Sequence, residues 1–435
     1  MAARNVLDAS KEPSRSISLG DAIVIIGAGV FGLTTACELS KRGYTNITVL
    51  DRYPPPVRDG SSVDVSRVIR PDYADDFYAK LGMEAMEGWQ GEYSQYFHKS
   101  GLLCASSQGE HPYIEQSKAN VERRGGHVRS FQSGQALQER FPAIDGDLST
   151  LKGYFNPSCG WANAEGSIRY LAQKCASNGV SFVCGPRGTV TSLYVEENNV
   201  ISVNTQTGDT IRGDQFILAT GAWSPYLLDM SSVSISNAQP VAFVQLTPAE
   251  AKTLSSNPVI IDLSTGWFSF PPTPDTHLLK MARHGYGYEV ARTRKSNDQF
   301  SAPALTKDNA VANFLPPDAE KALRDGLAQF MPFLKDRPFS RRRMCWYTDT
   351  RKGDFIVDKH PSHSNLYLAT GGSGHAFKFL PVLGRYIVDG FEGRASREQC
   401  VKWRWQPSAE AISKGDGSRG GPERRALTTQ ERARL

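Results

Sequence analysis

The chain has 435 residues, 40% of them hydrophobic and 22% charged, with a formal net charge of +5 at pH 7. That length exceeds one ordinary domain, and the small charge, with no basic stripe interleaved with aromatics, excludes a nucleic-acid-binding protein. No stretch approaches a transmembrane span, and the seven cysteines form neither a C-x-x-C pair nor a metal-ligand spacing, so no membrane, no metal and a reducing, intracellular setting are expected.

Residues 1–20 read as a flexible arm with charges and serines but no apolar h-region, so no secretory signal is expected. Residues 21–51, DAIVIIGAGVFGLTTACELSKRGYTNITVLD, organise the rest of the chain. Ala22 to Ile26 is a short, β-branched apolar run, the pattern of a buried strand. Gly27, Gly29 and Gly32, with Val30 and Phe31 among them, supply G-x-G-x-x-G where that strand turns into a helix. The first glycine permits the tight turn, the second lets backbone approach a pyrophosphate, and the third lets helix and strand pack closely. The helix N-terminus offers N–H groups and a positive dipole end to the phosphates. Gly43 stops the helix, residues 47–50 form a second strand, and Asp51, followed by Arg52, stands where an acid accepts ribose hydroxyls. The order of strand, helix, stop, strand and acid marks an adenine-dinucleotide site.

Residues 52–60, with Pro54-Pro55-Pro56, form a stiff loop. Apolar Phe77, Leu81, Met86 and Trp89 predict an amphipathic helix over 77–96, and 114–141 read as polar helix. A helix over 164–178 leads to a strand at 180–183, a hairpin of 190–194 with 200–204, and an apolar strand at 214–219 ending in Thr220-Gly221. Such a late strand returns a second edge of the dinucleotide fold to the cofactor, so that domain is discontinuous. The β-rich segments 241–246, 259–263, 267–270 and 277–281 mark a second domain. The expected partition is an arm at 1–20, a nucleotide domain from 21–90, 150–230 and 340–405, a substrate domain from 91–149 and 231–339, and a flexible basic tail at 406–435.

Three stretches carry the chemistry: GSSVDVSRVIRPDY at 60–73, RMCWYTDT at 343–350 and TGGSGHAFKF at 370–379. With the N-terminal fingerprint they resemble the monomeric sarcosine oxidase family of FAD-dependent amine oxidases, which also holds pipecolate oxidases, fungal saccharopine oxidases and fructosyl amino acid oxidases (amadoriases). The resemblance spans residues 22–405 and looks closest to the saccharopine oxidase branch. It implies an α/β fold of the glucose-oxidase/DAO-like kind, a discontinuous Rossmann-like FAD-binding domain stacked on a β-rich substrate domain, with the active site where they meet. It also implies FAD held by Gly27, Gly29, Val30, Phe31, Gly32, Asp51, Arg52, Ser61, Ser62, Arg67, Gly372, Gly374, His375 and Lys378, and bonded covalently to the Cys345 thiol.

The resemblance assigns the substrate carboxylate to Arg70 and Lys378, with Tyr73 beside them, and catalytic roles to Lys280, Arg67 and His375. A guanidinium offers a bidentate fork to a carboxylate, and a lysine flanked by phenylalanines, as Lys378 is, needs an anionic partner or water. Three-residue spacing on an extended segment puts Arg67 and Arg70 on opposite faces, so one of them is expected to reach substrate. Lys280, in HLLKM, would stabilise charge as oxygen is reduced. The implied reaction oxidises a secondary-amine amino acid, saccharopine-, pipecolate- or N-methyl amino acid-like, to an imine that hydrolyses, while O2 becomes hydrogen peroxide. A fructosyl amino acid substrate is the alternative, weakened because amadoriases are expected not to keep both early arginines. An NAD-dependent dehydrogenase would leave Cys345 and residues 373–379 unexplained, and a non-catalytic nucleotide binder would not need Lys280 or Lys378. The final Ala433-Arg434-Leu435 has the shape of a peroxisomal address read by an import receptor, with a cytoplasmic location otherwise; a monomer is expected.

Overall fold

The computed structural model describes residues 17–131, 133–294, 297–412 and 415–435. The predicted arm lies outside the described residues as far as residue 16. The β-branched run Ile23–Ile26 sits in a six-stranded sheet, ordered Ile356–Lys359, Leu366–Thr370, Gln215–Leu218, Ile23–Ile26, Ile47–Asp51, Ser181–Cys184. Neighbours are parallel except for the antiparallel first pair. Ile23–Ile26, Gln215–Leu218 and Leu366–Thr370 are buried throughout, because helices and loops cover both faces of a parallel sheet. The helices Val30–Lys41 and Leu380–Phe391 cross closely on one face, where a Cβ at Gly384 would overlap the Thr34 carbonyl. Four separated parts of the chain thus build one Rossmann-like α/β core.

A ten-stranded sheet forms the second layer system. Its spine is the antiparallel pair Ile235–Gln245 and Arg341–Asp349, in register from Ile235 opposite Asp349 to Phe243 opposite Arg341. Leu278–Arg283, Trp267–Ser269, Val259–Asp262, Leu102–Ser106, Lys152–Asn156 and Arg129–Ser130 follow outward from Ile235–Gln245. The helix Pro317–Phe330 covers this sheet, with Trp267 and Phe330 stacked 5.1 Å apart.

Three expectations differ from the structure. Residues 341–349 and 152–156, placed by sequence in the nucleotide domain, are strands of the second sheet. The glycines that suggested otherwise belong to the loop at 371–374, and a strand's partner is chosen by long-range pairing, not by its own composition. The polar helix expected over 114–141 breaks after Pro112–Arg123, where Gly125 takes φ +77°, and resumes as Gly134–Arg140. Within the tail expected to be flexible, residues 415–435 are docked; residues 413–414 lie outside the described residues. Arg425–Ala426 pairs with Tyr288–Glu289, and Thr429–Arg432 is a short helix closed by a Thr428–Glu431 capping box. Arg419 forms a buried two-pronged ion pair with Asp349, and Arg425 pairs with Asp318 and Glu431. The basic residues of the tail find acids distant in sequence, which a local charge count does not see. Among the described residues no helix is long and apolar enough to cross a membrane.

Candidate active site

One cavity is lined by Gly27, Gly29, Asp51 and Arg52 and also by Lys280, Cys345, His375 and Lys378, so the glycine turn and the chemistry-bearing residues share a single space. The turn is built as its sequence requires. Gly27 has φ +114°, and a Cβ at Gly32 would overlap the Gly27 carbonyl oxygen. A Cβ at Gly29 would meet only Ser62 Oγ, at 3.2 Å, which leaves that stretch of backbone open to a ligand. Ser62 Oγ accepts the Val30 N–H at 2.9 Å, and Ser61 Oγ donates to the Trp346 carbonyl, tying the 60–73 segment to both the helix start and the second sheet. Asp51 accepts the Ala28 N–H at 2.7 Å; burial pushes its carboxyl pKa up, with the Ala28 N–H and Arg52 opposing. Arg52 lies over the Trp223 ring at 4.2 Å and pairs with Asp59 at 2.7 Å. Phosphate-accepting backbone, a ribose-accepting acid and an apolar platform fit an adenine dinucleotide. Gly372 packs against Phe31, and Gly374, at φ +73°, lies where any Cβ would strike the Tyr347 ring.

Beyond the turn, the polar residues fall into two groups. The first is centred on Asp64, which is fully buried. Its Oδ2 lies 2.9 Å from Lys280 Nζ and 2.7 Å from Arg67 Nη1. Lys280 also donates to the Ser66 carbonyl at 2.7 Å and sits 4.8 Å over the Phe270 ring. Arg67 Nη2 donates to the Ser61 carbonyl at 2.7 Å and lies 3.7 Å from the sulfur of buried Cys345. Burial would push the Asp64 carboxyl up, but the nearby Lys280, Arg67 and Arg343 charges hold it far below the carboxylate range. Burial lowers Lys280 from 10.5 to about 7; Asp64 opposes the fall and Arg67 adds to it. A lysine so poised near neutrality can carry or release a proton in the working pH range.

The second group is Arg70, Tyr73, Tyr113, His375 and Lys378. Lys378 donates to Tyr73 Oη at 2.9 Å and to the His375 carbonyl at 2.9 Å, which uses two of its three N–H groups. His375 Nε2 is 2.7 Å from the Gly353 carbonyl, which can only accept. The ring proton therefore resides on Nε2, and Nδ1 accepts from Tyr73 Oη at 2.9 Å. Burial first, then the Lys378 charge, push His375 well below its usual pKa, as this neutral tautomer requires. Burial and the Arg70 charge likewise push Lys378 well below its usual value. Arg70 lies 4.8 Å from the Tyr73 ring centre, and its buried Nη1 has no hydrogen-bond partner among the described residues. An anion would relieve both cations.

The geometry is that of a cofactor turn feeding a cavity with one cluster that carries its own carboxylate and one anion-seeking cluster, and it has relatives. Residues 22–390 match the family model described as FAD dependent oxidoreductase. The chain belongs to the FAD dependent oxidoreductase family. It is 33% identical over 407 residues to L-saccharopine oxidase of Schizosaccharomyces pombe, covering 89% of this chain and 94% of that one. Peroxisomal sarcosine oxidase of Mus musculus is 25% identical, with 84% and 90% covered. The crystal structure of fructosamine oxidase (Amadoriase II) from Aspergillus fumigatus in complex with FSA superposes with a TM-score of 0.85 at 29% identity, covering 94% and 96%. The chain is thus an FAD-dependent oxidase with relatives in the saccharopine, sarcosine and amadoriase branches.

Arg67 and Arg70, three residues apart, are divided between the two clusters, as their spacing on an extended segment requires. Asp64, Tyr113 and Arg419 escape a reading of the sequence. Asp64 has a local signal, an acid three residues before an arginine inside the 60–73 motif. Tyr113 has none, and Arg419 stands in a stretch whose glycines and charges resemble a linker.

Proposed function

We propose that the chain oxidises a secondary-amine amino acid, held by its carboxylate between Arg70 and Lys378, with oxygen as the electron acceptor and hydrogen peroxide as product. One observation carries the reading: a buried guanidinium nitrogen without an acceptor among the described residues, beside a buried lysine with one N–H unused. Bound FAD would supply the redox chemistry, taking two electrons with the amine C–H and passing them to oxygen.

The residues of the chain would divide the work. Arg70 and Lys378 orient the substrate through its carboxylate, and Tyr73 and His375 hold Lys378 in place through the chain of bonds ending at Gly353. With both ring nitrogens engaged, His375 is a positioning residue. Lys280, kept charged by Asp64, stabilises negative charge as oxygen is reduced, and Arg67 adds positive field beside Cys345. The Cys345 thiol would anchor the flavin covalently, a reading supported by its burial, its place in the cavity lining and its contact with Arg67. Oxidation of the amine to an imine leaves hydrolysis to water. Saccharopine-, pipecolate- and N-methyl amino acid-like substrates all present the required carboxylate and secondary amine. The structural likeness to Amadoriase II supports a second reading, a fructosyl amino acid substrate. The peroxisomal relative and the Ala433-Arg434-Leu435 terminus support a peroxisomal location reached through an import receptor.

The test is anaerobic flavin bleaching and aerobic peroxide release with saccharopine, pipecolate, sarcosine and fructosyl-lysine. Bleaching by the first three, or any of them, at low concentration supports the proposal; bleaching by fructosyl-lysine alone replaces it with the second reading. Yellow colour that stays with acid-precipitated wild-type protein, and leaves it in C345S, supports the covalent anchor.

A further inference from the structure

Tyr113 stands in the first turn of the helix Pro112–Arg123, far in sequence from the three chemistry-bearing motifs. The helix is pinned to the Arg70 segment: Asn120, itself fully buried, donates to the carbonyls of Tyr73 at 2.9 Å and Ala74 at 2.8 Å. This brings the Tyr113 ring to 6.0 Å from the Arg70 guanidinium. Tyr113 is 5% exposed and Arg70 7%, and both Tyr113 Oη and Arg70 Nη1 are buried atoms without a hydrogen-bond partner among the described residues. The guanidinium lies near enough to the phenol oxygen to oppose the upward push of burial on the Tyr113 pKa, but the Tyr113 O–H itself has no acceptor among the described residues, and a buried donor left unmade is costly.

The acids around the pair have other bonds. Asp72 is fully buried and accepts from Tyr154 Oη, Asn156 Nδ2 and the Cys159 thiol. Asp416 faces the cluster from the docked tail and favours the charged form of Lys378, but its Oδ1 accepts from the Ser418 backbone and hydroxyl and it makes no direct ion pair with Arg70 or Lys378 among the described residues. Purely structural packing would be served as well by phenylalanine at 113, whose ring would make the same contacts without stranding a hydroxyl. The Tyr113 O–H lacks an acceptor among the described residues, and a ligand oxygen beside Arg70 would supply one.

Resting on the carboxylate reading of the Arg70–Lys378 pair, we propose that Tyr113 is a further substrate-binding residue: its hydroxyl and Arg70 Nη1 together hold one oxygen of the substrate carboxylate, while the third N–H of Lys378 takes the other. Three donors on two oxygens make the site selective for an ionised carboxylate over a carboxamide or ester, because a neutral group cannot accept at every position. Tyr113 acts in binding and orientation and takes no part in proton transfer.

Tyr113→Phe removes only the stranded oxygen, so the ligand-free holoenzyme should melt at the same or a higher temperature. Acetate titrated against the flavin absorbance, and KM for pipecolate, should weaken roughly tenfold to a hundredfold. The limiting rate of anaerobic flavin reduction should change far less, and the preference for pipecolate over its carboxamide should shrink by a similar factor to the KM change. If acetate binding and the acid-to-amide preference survive in Y113F but collapse in Arg70→Gln, the carboxylate pair stands and the role of Tyr113 falls. If the wild-type holoenzyme neither binds acetate nor prefers the acid, the pair itself is overturned, and with it the proposal. A lower melting temperature with unchanged acetate affinity also overturns it, since that is what a structural hydroxyl would give.

Discussion

Two clusters of buried cations, the first reaching the cavity through Arg67 and Lys280 and the second through His375 and Lys378, are built on opposite electrostatic principles. Around Asp64 the cations have a counter-charge within the protein: Lys280 and Arg67 share one carboxylate at 2.9 and 2.7 Å. Around Arg70 and Lys378 no carboxylate makes a direct ion pair among the described residues: phenols, a neutral imidazole and carbonyls are their neighbours, Asp72 and Asp416 act only from a distance, and donors are left over. A cluster built around its own carboxylate can hold a fixed field through turnover, whereas one without a paired carboxylate is incomplete without an anion. On the proposed reading, the difference separates the part of the site that serves the cofactor and oxygen from the part that serves the substrate.

The largest effect should come from breaking the Asp64 cluster. Asp64→Asn leaves two buried cations without their counter-charge, and a loss of about 3–5 kcal/mol in stability is expected, visible as a lowered melting temperature of the holoenzyme. Arg70→Gln, by contrast, should lower the melting temperature of substrate-free enzyme less, because Arg70 makes no direct ion pair among the described residues, although its charge helps to balance buried Asp72. Its cost appears in substrate: about 2–5 kcal/mol, on the order of thirty-fold to several-thousand-fold in kcat/KM for carboxylate-bearing amines. Equal destabilisation by the two substitutions would erase the distinction between the clusters.

Lys280→Met sharpens it from the other side. Reoxidation of the reduced enzyme by oxygen should slow roughly a hundredfold to a thousandfold, while anaerobic reduction by substrate changes little. Slowing of both half-reactions alike would place Lys280 in substrate binding instead. The smallest effect is in pH. Burial has brought Lys280 down to about 7, so its positive charge is present below that pH and is lost as pH rises through it. Oxygen reactivity should therefore decline with rising pH, by at most about tenfold per unit. In any Asp64→Asn protein that folds, the inflection should move lower still, since Asp64 is the group that favours the charged lysine. An unmoved inflection would assign the titration to another group.

Much of this protein is legible in one dimension. The glycine turn, its flanking strands and Asp51 are a local device, because a strand, a tight turn and a helix start are set by neighbours a few residues apart. The motifs around Arg67, Cys345 and His375 are legible through family resemblance, which also implies the two-domain α/β architecture. The structure adds what each residue rests on. His375 carries a sequence signature, yet only the bonds to Tyr73 and Gly353 show that both its nitrogens are occupied.

What the amino-acid order determined by itself was therefore the nucleotide-binding unit, the alternation of buried strands, and three segments that the fold brings to one cavity. Tertiary structure decided their partners. It moved the Cys345 strand into the second sheet by pairing it along Ile235–Gln245, and it docked the basic tail by giving Arg419 the carboxylate of Asp349, 70 residues away. It also set Tyr113 beside Arg70, through the bonds of Asn120 to a different segment. Periodicity and turn chemistry act over a few residues and can be read locally. Charge matching and donor convergence act across the fold, and a buried cation takes its meaning from whichever distant side chain is, or is not, there to meet it.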